Sequence, residues 1–153
     1  AAAPPPPPPR LHIVGRAPTA EVRACEGMSG TRVWGEVPDV RPFLAAADLV
    51  LAPLAIARGI QNKVLEAMAM ARPAVLSGEA ATGIGGTDGV HYAVGGDDAA
   101  LVARALGLLA DAPGAAAMGA AARRFVLAEK SWPAALAPLA EIIGRAGARR
   151  DAA

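Results

Sequence analysis

The stretch that most restricts the fold runs Arg58-Gly59-Ile60-Gln61-Asn62-Lys63-Val64-Leu65-Glu66-Ala67-Met68-Ala69-Met70-Ala71-Arg72-Pro73-Ala74-Val75. It reads as a strand end, a short polar loop, a helix, a proline break and a new strand. Gly59 and the Gln61-Asn62 pair supply the turn chemistry. Val64, Leu65, Ala67, Met68, Ala69, Met70 and Ala71 make the helix apolar almost all round, which predicts a helix enclosed in the interior. Pro73 cannot continue a helix, so the chain must restart there as a strand.

The flanking segments repeat that alternation. Leu11–Val14, Thr31–Trp34, Leu49–Leu54, Pro73–Leu76 and His91–Val94 are short apolar runs bounded by glycine, proline or aspartate, as expected of buried parallel strands. Helices are predicted from Thr19 to Glu26, from a cap at Asp39 to about Ala47, from Asp97 or Asp98 to Ala110, from Gly114 to Glu129, and from a cap at Ser131 onward. Asp111-Ala112-Pro113-Gly114 reads as a turn, and Ser77–Gly89 as a long glycine-rich loop. Strands alternating with helices predict an α/β domain, a Rossmann-like parallel sheet flanked by helices. The expected organisation is an Ala/Pro-rich extended segment over 1–10, the domain over 11–147 and a frayed tail over 148–153.

Composition narrows the function classes. The formal charge of the 153 residues is +1, so no electrostatic case for nucleic acid binding exists. With aromatics at only 3%, the core must be built from Val, Leu, Ile, Ala and Met. Cys25 is the single cysteine, which excludes an internal disulfide and fits a reducing compartment, so a cytoplasmic location is expected. No apolar run reaches the roughly 18 residues of a membrane span, and residues 1–10 lack the order of a signal peptide.

On a parallel α/β sheet, ligands bind beyond the carboxyl ends of the strands. That edge is predicted to collect Gly15-Arg16, Glu36–Asp39, Ala55–Asn62 and Ser77–Gly83. The charges of the central helix point there too. Lys63 lies in the first turn, the wrong sign for the helix dipole, and Lys63 ahead of Glu66 is the weaker order for a helical ion pair. A cation there becomes reasonable when an anion sits at the helix N-terminus, where free N–H groups invite one, so a phosphorylated ligand is expected.

Other motifs fail. Thr82-Gly83-Ile84-Gly85-Gly86-Thr87-Asp88 is not G-x-G-x-x-G, and there is no P-loop. His12 and His91 are isolated, so no metal set is evident. Cys25 has no base beside it in the sequence, which argues against nucleophilic catalysis.

With these loops in order, the chain resembles the C-terminal, nucleotide-sugar-binding half of a GT-B glycosyltransferase of the retaining family 4. The resemblance rests on Ile13-Val14-Gly15-Arg16-Ala17-Pro18, Gly35-Glu36-Val37-Pro38-Asp39-Val40 and Ala47-Asp48-Leu49-Val50-Leu51-Ala52-Pro53. It also rests on Leu65–Val75, which is similar to the motif E-G-F-G-x-x-x-x-E-A-M-A-x-G-x-P-V-V, and on Arg123-Arg124-Phe125 and Ser131-Trp132. It covers Leu11 to Ile143. The local form Arg58–Met70 resembles the sugar transferases associated with PEP-CTERM/exosortase exopolysaccharide systems. Arg58 stands where the usual motif has its first Glu.

The resemblance implies a retaining hexosyl-type transferase whose donor is a nucleotide-diphosphate sugar, with no cofactor and no metal expected. It assigns Glu66 to the donor ribose hydroxyls, with a plain partner for Lys63 as the other reading. Arg58 and Lys63 become catalytic candidates that neutralise the departing diphosphate or a carboxylate on the sugar; the alternative is surface charge. Gly59, Ile60, Gln61, Asn62, Val64 and Leu65 are substrate-binding candidates in the same motif. Gly15 and Arg16 would approach the diphosphate, with a solvated turn as the alternative, and Asp39 the base, with a helix cap as the alternative. The family has an acceptor domain, followed by a strand and helix, ahead of the position of Leu11, so this chain is expected to be a fragment, inactive alone. A glycan or lipid-linked acceptor would come through that missing domain, with peripheral association of the whole enzyme at the inner face of a membrane. The rival readings are a noncatalytic nucleotide-binding module and a flavodoxin-like regulatory domain; the latter wants an acidic cluster or flavin loop, and neither is found.

Overall fold

The structure is a computed structural model that describes residues 8–134, Leu136 and Leu139. The expected behaviour of residues 1–7 and of the tail from 140 lies outside the described residues. Pro8, Pro9 and Arg10 are exposed and form no regular element. Contacts gather into two compact units, Ala1–Pro42 and Phe43–Ala153.

In the first unit, β1 (His12–Val14) and β2 (Arg32–Gly35) pair in parallel. Between them lies α1 (Ala20–Ala24), whose N-cap Thr19 accepts from the Val22 N–H at 3.4 Å. This helix is shorter than the predicted Thr19–Glu26. Its chain turns at Cys25, and Gly27 then adopts the left-handed conformation, φ 77°. Glu26 serves the strand instead of the helix: its carboxylate accepts the Val33 N–H at 2.6 Å. The neighbouring Arg32 N–H donates to Leu11 beside β1, so Val33 faces the outer edge of β2, where Glu26 satisfies an otherwise open donor.

A short helix, α2 (Arg41–Ala46), leads into the second unit. There β3 (Val50–Ala52), β4 (Ala74–Ser77) and β5 (Ala93–Gly95) form a parallel sheet in that order. The connecting helices are α3 (Asn62–Ala69), α4 (Gly78–Ala81), α5 (Asp98–Ala110) and α6 (Ala112–Glu129). All five predicted strand positions hold a strand, shifted or trimmed by one to three residues, and all named pairings are parallel. The hydrogen-bonded ladders form two sheets where one was expected.

The central strand β4 is buried along its whole length, and its alternation divides the core. Ala74 and Leu76 join Val64, Met68, Ala122 and Val126 on one side, whereas Val75 joins Ala93, Leu101, Ala105 and Met118 on the other. Helices therefore cover both faces, as a parallel sheet requires.

Four local expectations are corrected. The predicted last strand, His91–Val94, begins at Ala93: His91 lies in a turn and Tyr92 forms an isolated bridge to Asp88, with the Gly89 N–H donating to the Tyr92 carbonyl and the Thr87 N–H to His91 Nδ1. The long loop Ser77–Gly89 contains α4, which Ser77 caps by accepting the Ala80 N–H. Asp111–Gly114 is no separate turn. Asp111 caps α6 through the Gly114 N–H at 3.0 Å, and proline suits the first helical turn. Finally, α3 is enclosed on one face only. Val64, Ala67 and Met68 are buried, Leu65 and Ala69 are half-buried, and Asn62, Lys63 and Glu66 are exposed.

The C-terminal end of α3 is anchored from α6. Arg123 Nη1 donates to the Ala69 carbonyl, and Gly119 lies so close to the Ala71 carbonyl that no side chain fits between them. Arg72 Nη1 donates to the Ala47 carbonyl at 3.0 Å.

Candidate functional site

The site candidates fall in both units. In the first, Gly15 and Arg16 follow β1 directly and are exposed. The Gly15 N–H donates to the Gly35 carbonyl at 2.8 Å, so it is committed to the fold. Asp39, four residues beyond β2, accepts the Arg41 N–H at 2.9 Å and a two-pronged hydrogen bond from the Arg41 guanidinium. Those hydrogen bonds hold its carboxyl below the usual range and push the Arg41 guanidinium further up.

In the second unit, the chain beyond the carboxyl end of β3 forms a loop from Pro53 to Gln61, which feeds α3. Arg58, Gly59 and Ile60 are exposed on it, and Gly59 adopts φ 70°, which glycine takes without strain. Gln61 occupies the N-cap position, yet its side chain does not cap. The amide Nε2 donates instead to the Gly59 carbonyl at 3.0 Å. The Gln61 carbonyl accepts the N–H groups of Val64 and Leu65 at 2.9 and 3.3 Å. The first turn has no acidic residue and no side-chain cap, so the N–H groups of Asn62 and Lys63 point from the helix end without a side-chain acceptor.

Lys63 and Glu66 stand exposed on this helix, and among the described residues no ion pair joins them; the two pairs present are Asp39–Arg41 and Asp88–Arg104. The plain Lys63–Glu66 partnership is therefore not formed. Val64 is 1% exposed and packed in the core, so it offers no side chain to a ligand, and half-buried Leu65 packs against the same cluster. Their place in the motif is structural: they fix the helix that carries Lys63 and Glu66. Arg58, Gly59, Ile60, Gln61, Asn62, Lys63 and Glu66 thus share one loop and one helix end at the carboxyl edge of the sheet.

Sequence reasoning placed Ser77–Gly83 at this edge without giving its residues a role. Ser77 Oγ donates to the Leu54 carbonyl at 2.7 Å, and Ile60 Cγ1 lies 3.5 Å from where a Cβ on Gly83 would stand. The signal available was a serine at a strand end followed by a glutamate two residues later, which reads as an N-cap and says nothing of Leu54. Among the described residues, no group of three His, Cys, Asp or Glu side chains could hold a metal ion, and no single helix is long and apolar enough to cross a membrane.

Parallel sheets flanked by helices make this an α/β fold, and the fold matches structures of GT-B glycosyltransferases. The sequence matches the family described as glycosyl transferases group 1 over residues 3–111, and the chain belongs to that family. Among curated proteins none matches. Similar solved structures include Alr3699/HepE of Anabaena in complex with UDP, at TM-score 0.74 and 19% identity, covering 92% of this chain and 42% of that one. Sucrose-phosphate synthase of Thermosynechococcus elongatus matches at TM-score 0.74 and 22% identity, covering 92% of this chain and 39% of that one. WaaG, a glycosyltransferase involved in lipopolysaccharide biosynthesis, matches at TM-score 0.64 and 22% identity over 76% of this chain and 33% of that one. The chain spans about two fifths of the length of the first two.

Proposed function

We propose that this chain is the donor-binding part of a glycosyltransferase that takes a nucleoside-diphosphate sugar and passes the sugar to an acceptor with retention at the anomeric carbon. The observation that carries the reading is α3: one face locked in the core, the other presenting Lys63 and Glu66, unpaired among the described residues, beside an N-terminus that no described side chain caps. Ionised Glu66 is acceptor-only and suits the two adjacent hydroxyls of a ribose. On this reading Lys63, Arg58 and the α3 N-terminus would offer positive charge to a diphosphate that gains negative charge as the bond between the anomeric carbon and the β-phosphate oxygen breaks. That electrostatic arrangement needs no metal of its own. Gly59, Ile60, Gln61 and Asn62 would line the sugar.

Uridine is the base to test first, because Alr3699/HepE has been solved with UDP and with UDP-glucose. We assign the acceptor, a glycan or lipid-linked saccharide, to sequence outside this chain. A role in exopolysaccharide synthesis, in the manner of the PEP-CTERM/exosortase-associated transferases, rests on the Arg58–Met70 resemblance alone. So does a place at the inner, cytoplasmic face of a membrane. On this reading the chain alone binds donor but transfers nothing. The rival is a nucleotide-binding module with no catalytic partner.

Calorimetric titration with UDP, GDP and ADP tests the reading. Saturable binding of one of them, weakened in Lys63→Ala, is expected; no heat with any of the three would overturn it. Transfer restored by adding the rest of the protein would decide against the noncatalytic rival.

A further inference from the structure

We infer that Ser77 is a positioning residue that sets the loop Pro53–Gln61 against the donor sugar, an inference that rests on the function proposed above. Ser77 is the one polar residue buried among the described residues, 8% exposed at the carboxyl end of β4. A hydroxyl has one proton to give and lone pairs to accept with, and Ser77 uses both kinds. Its proton goes to the Leu54 carbonyl at 2.7 Å, at the root of the loop that follows β3. Its lone pair takes the Ala80 N–H at 3.2 Å, capping α4 after β4. One oxygen therefore joins the two loops that leave neighbouring parallel strands. The far end of the first loop approaches the same segment: Ile60 Cγ1 lies 3.5 Å from where a Cβ on Gly83 would stand. Between these two points Arg58 has no side-chain partner among the described residues, and Gly59 is held only from within the loop, by Gln61 Nε2 on its carbonyl at 3.0 Å.

Geometry divides the labour. Glu66 sits on α3, which is held by Val64 and Met68 in the core and by Arg123 at its far end, and among the described residues no hydrogen bond joins α3 to the Ser77 hydroxyl. Arg58–Gln61 sit on the loop that Ser77 holds. Loss of the hydroxyl should therefore disturb recognition of the sugar and leave recognition of the nucleoside intact. A residue that merely stabilised the fold would change neither once the protein is folded, or both together.

The test compares Ser77→Ala and Ser77→Val with Ser77→Thr, which keeps the hydroxyl, in the full chain. The first measurement is limited trypsin cleavage after Arg58 well below the unfolding temperature. It should quicken several-fold in Ser77→Ala and Ser77→Val and return towards wild type in Ser77→Thr. The second is titration with UMP, UDP-glucose and UDP-glucuronic acid. The UDP-sugar that binds best should lose about tenfold in Ser77→Ala, the scale of one buried hydrogen bond, while UMP, which lacks the β-phosphate and the sugar that the loop faces, stays within about twofold. Unchanged cleavage, or equal losses for UMP and UDP-sugar, would overturn the inference. If wild type binds none of the three nucleotides, the proposed function fails for uridine and the sugar-positioning role with it. The cleavage measurement then reports on the loop fastening alone.

Discussion

Ala71→Gly should stabilise this protein, although glycine is ordinarily the worse residue near a helix. α3 ends in two nested hydrogen bonds: the Arg72 N–H donates to the Ala67 carbonyl and the Ala71 N–H to the Met68 carbonyl, both at 3.0 Å. This is the Schellman arrangement, and it forces the residue between them into the left-handed region. Ala71 has φ 55°. An L-residue held there costs about 1–2 kcal/mol, and glycine, which avoids that cost, gives back about 0.5–1 kcal/mol through its freer unfolded chain. The difference favours Ala71→Gly by about 0.5–1 kcal/mol, or roughly 1–4 °C in Tm for a chain of this size. The family motif similar to Leu65–Val75 carries Gly at this place, in keeping with the sign. Ala103→Gly, on the exposed side of α5, is the control and should destabilise by about 1 kcal/mol. Chemical denaturation of the three proteins, with equal m-values, reads both effects. If Ala71→Gly lowers the midpoint as Ala103→Gly does, the left-handed ending of α3 is wrong, and the anchoring of that helix must be reconsidered.

Gly119→Ala should cost about 1–3 kcal/mol, since its methyl would overlap the Ala71 carbonyl and drive α6 from α3; a thermal melt checks it, and Ala120→Gly on the exposed side should cost no more than about 1 kcal/mol. Asp39 should titrate below the ordinary carboxylate range by NMR, because the Arg41 guanidinium and then the Arg41 N–H favour its ionised form. A lowered folded pKa means that its contribution is present above the unfolded value, near 4, and is lost as pH falls through the folded value. Arg41→Gln should move that titration back up. Tyr92→Phe should destabilise by about 1 kcal/mol, because its hydroxyl donates to the Gly86 carbonyl at 2.7 Å.

The alternation of short apolar runs with helices located every strand of the two sheets, most plainly β4, which buries residues of both parities and so reads as one continuous apolar run. The motif Arg58–Val75 located the loop and helix end that gather the site. What the sequence could not convey was decided by tertiary contacts. Periodicity did not mark α3 as one-faced, since Leu65 and Met70 are as apolar as the residues beneath them. His91 and Tyr92 have the composition of a strand, but an imidazole acceptor for Thr87, a hydroxyl donor for Gly86 and a lone bridge to Asp88 tie them to the preceding loop instead of β4. Ser77 looks like any helix cap until Leu54, 23 positions away, is brought to its other side.

Glu66 carries the central claim, and one titration tests it most directly: UDP against 2′-deoxy-UDP, on wild type and on Glu66→Gln. Wild type should prefer the ribonucleotide by about tenfold or more, the value of a charged hydrogen bond to a sugar hydroxyl. Glu66→Gln offers one acceptor and a mismatched donor, so it should bind both ligands alike and UDP more weakly than wild type does. A Glu66→Gln variant that still favours UDP over its deoxy form to the wild-type extent would contradict the account and remove the nucleotide from this helix.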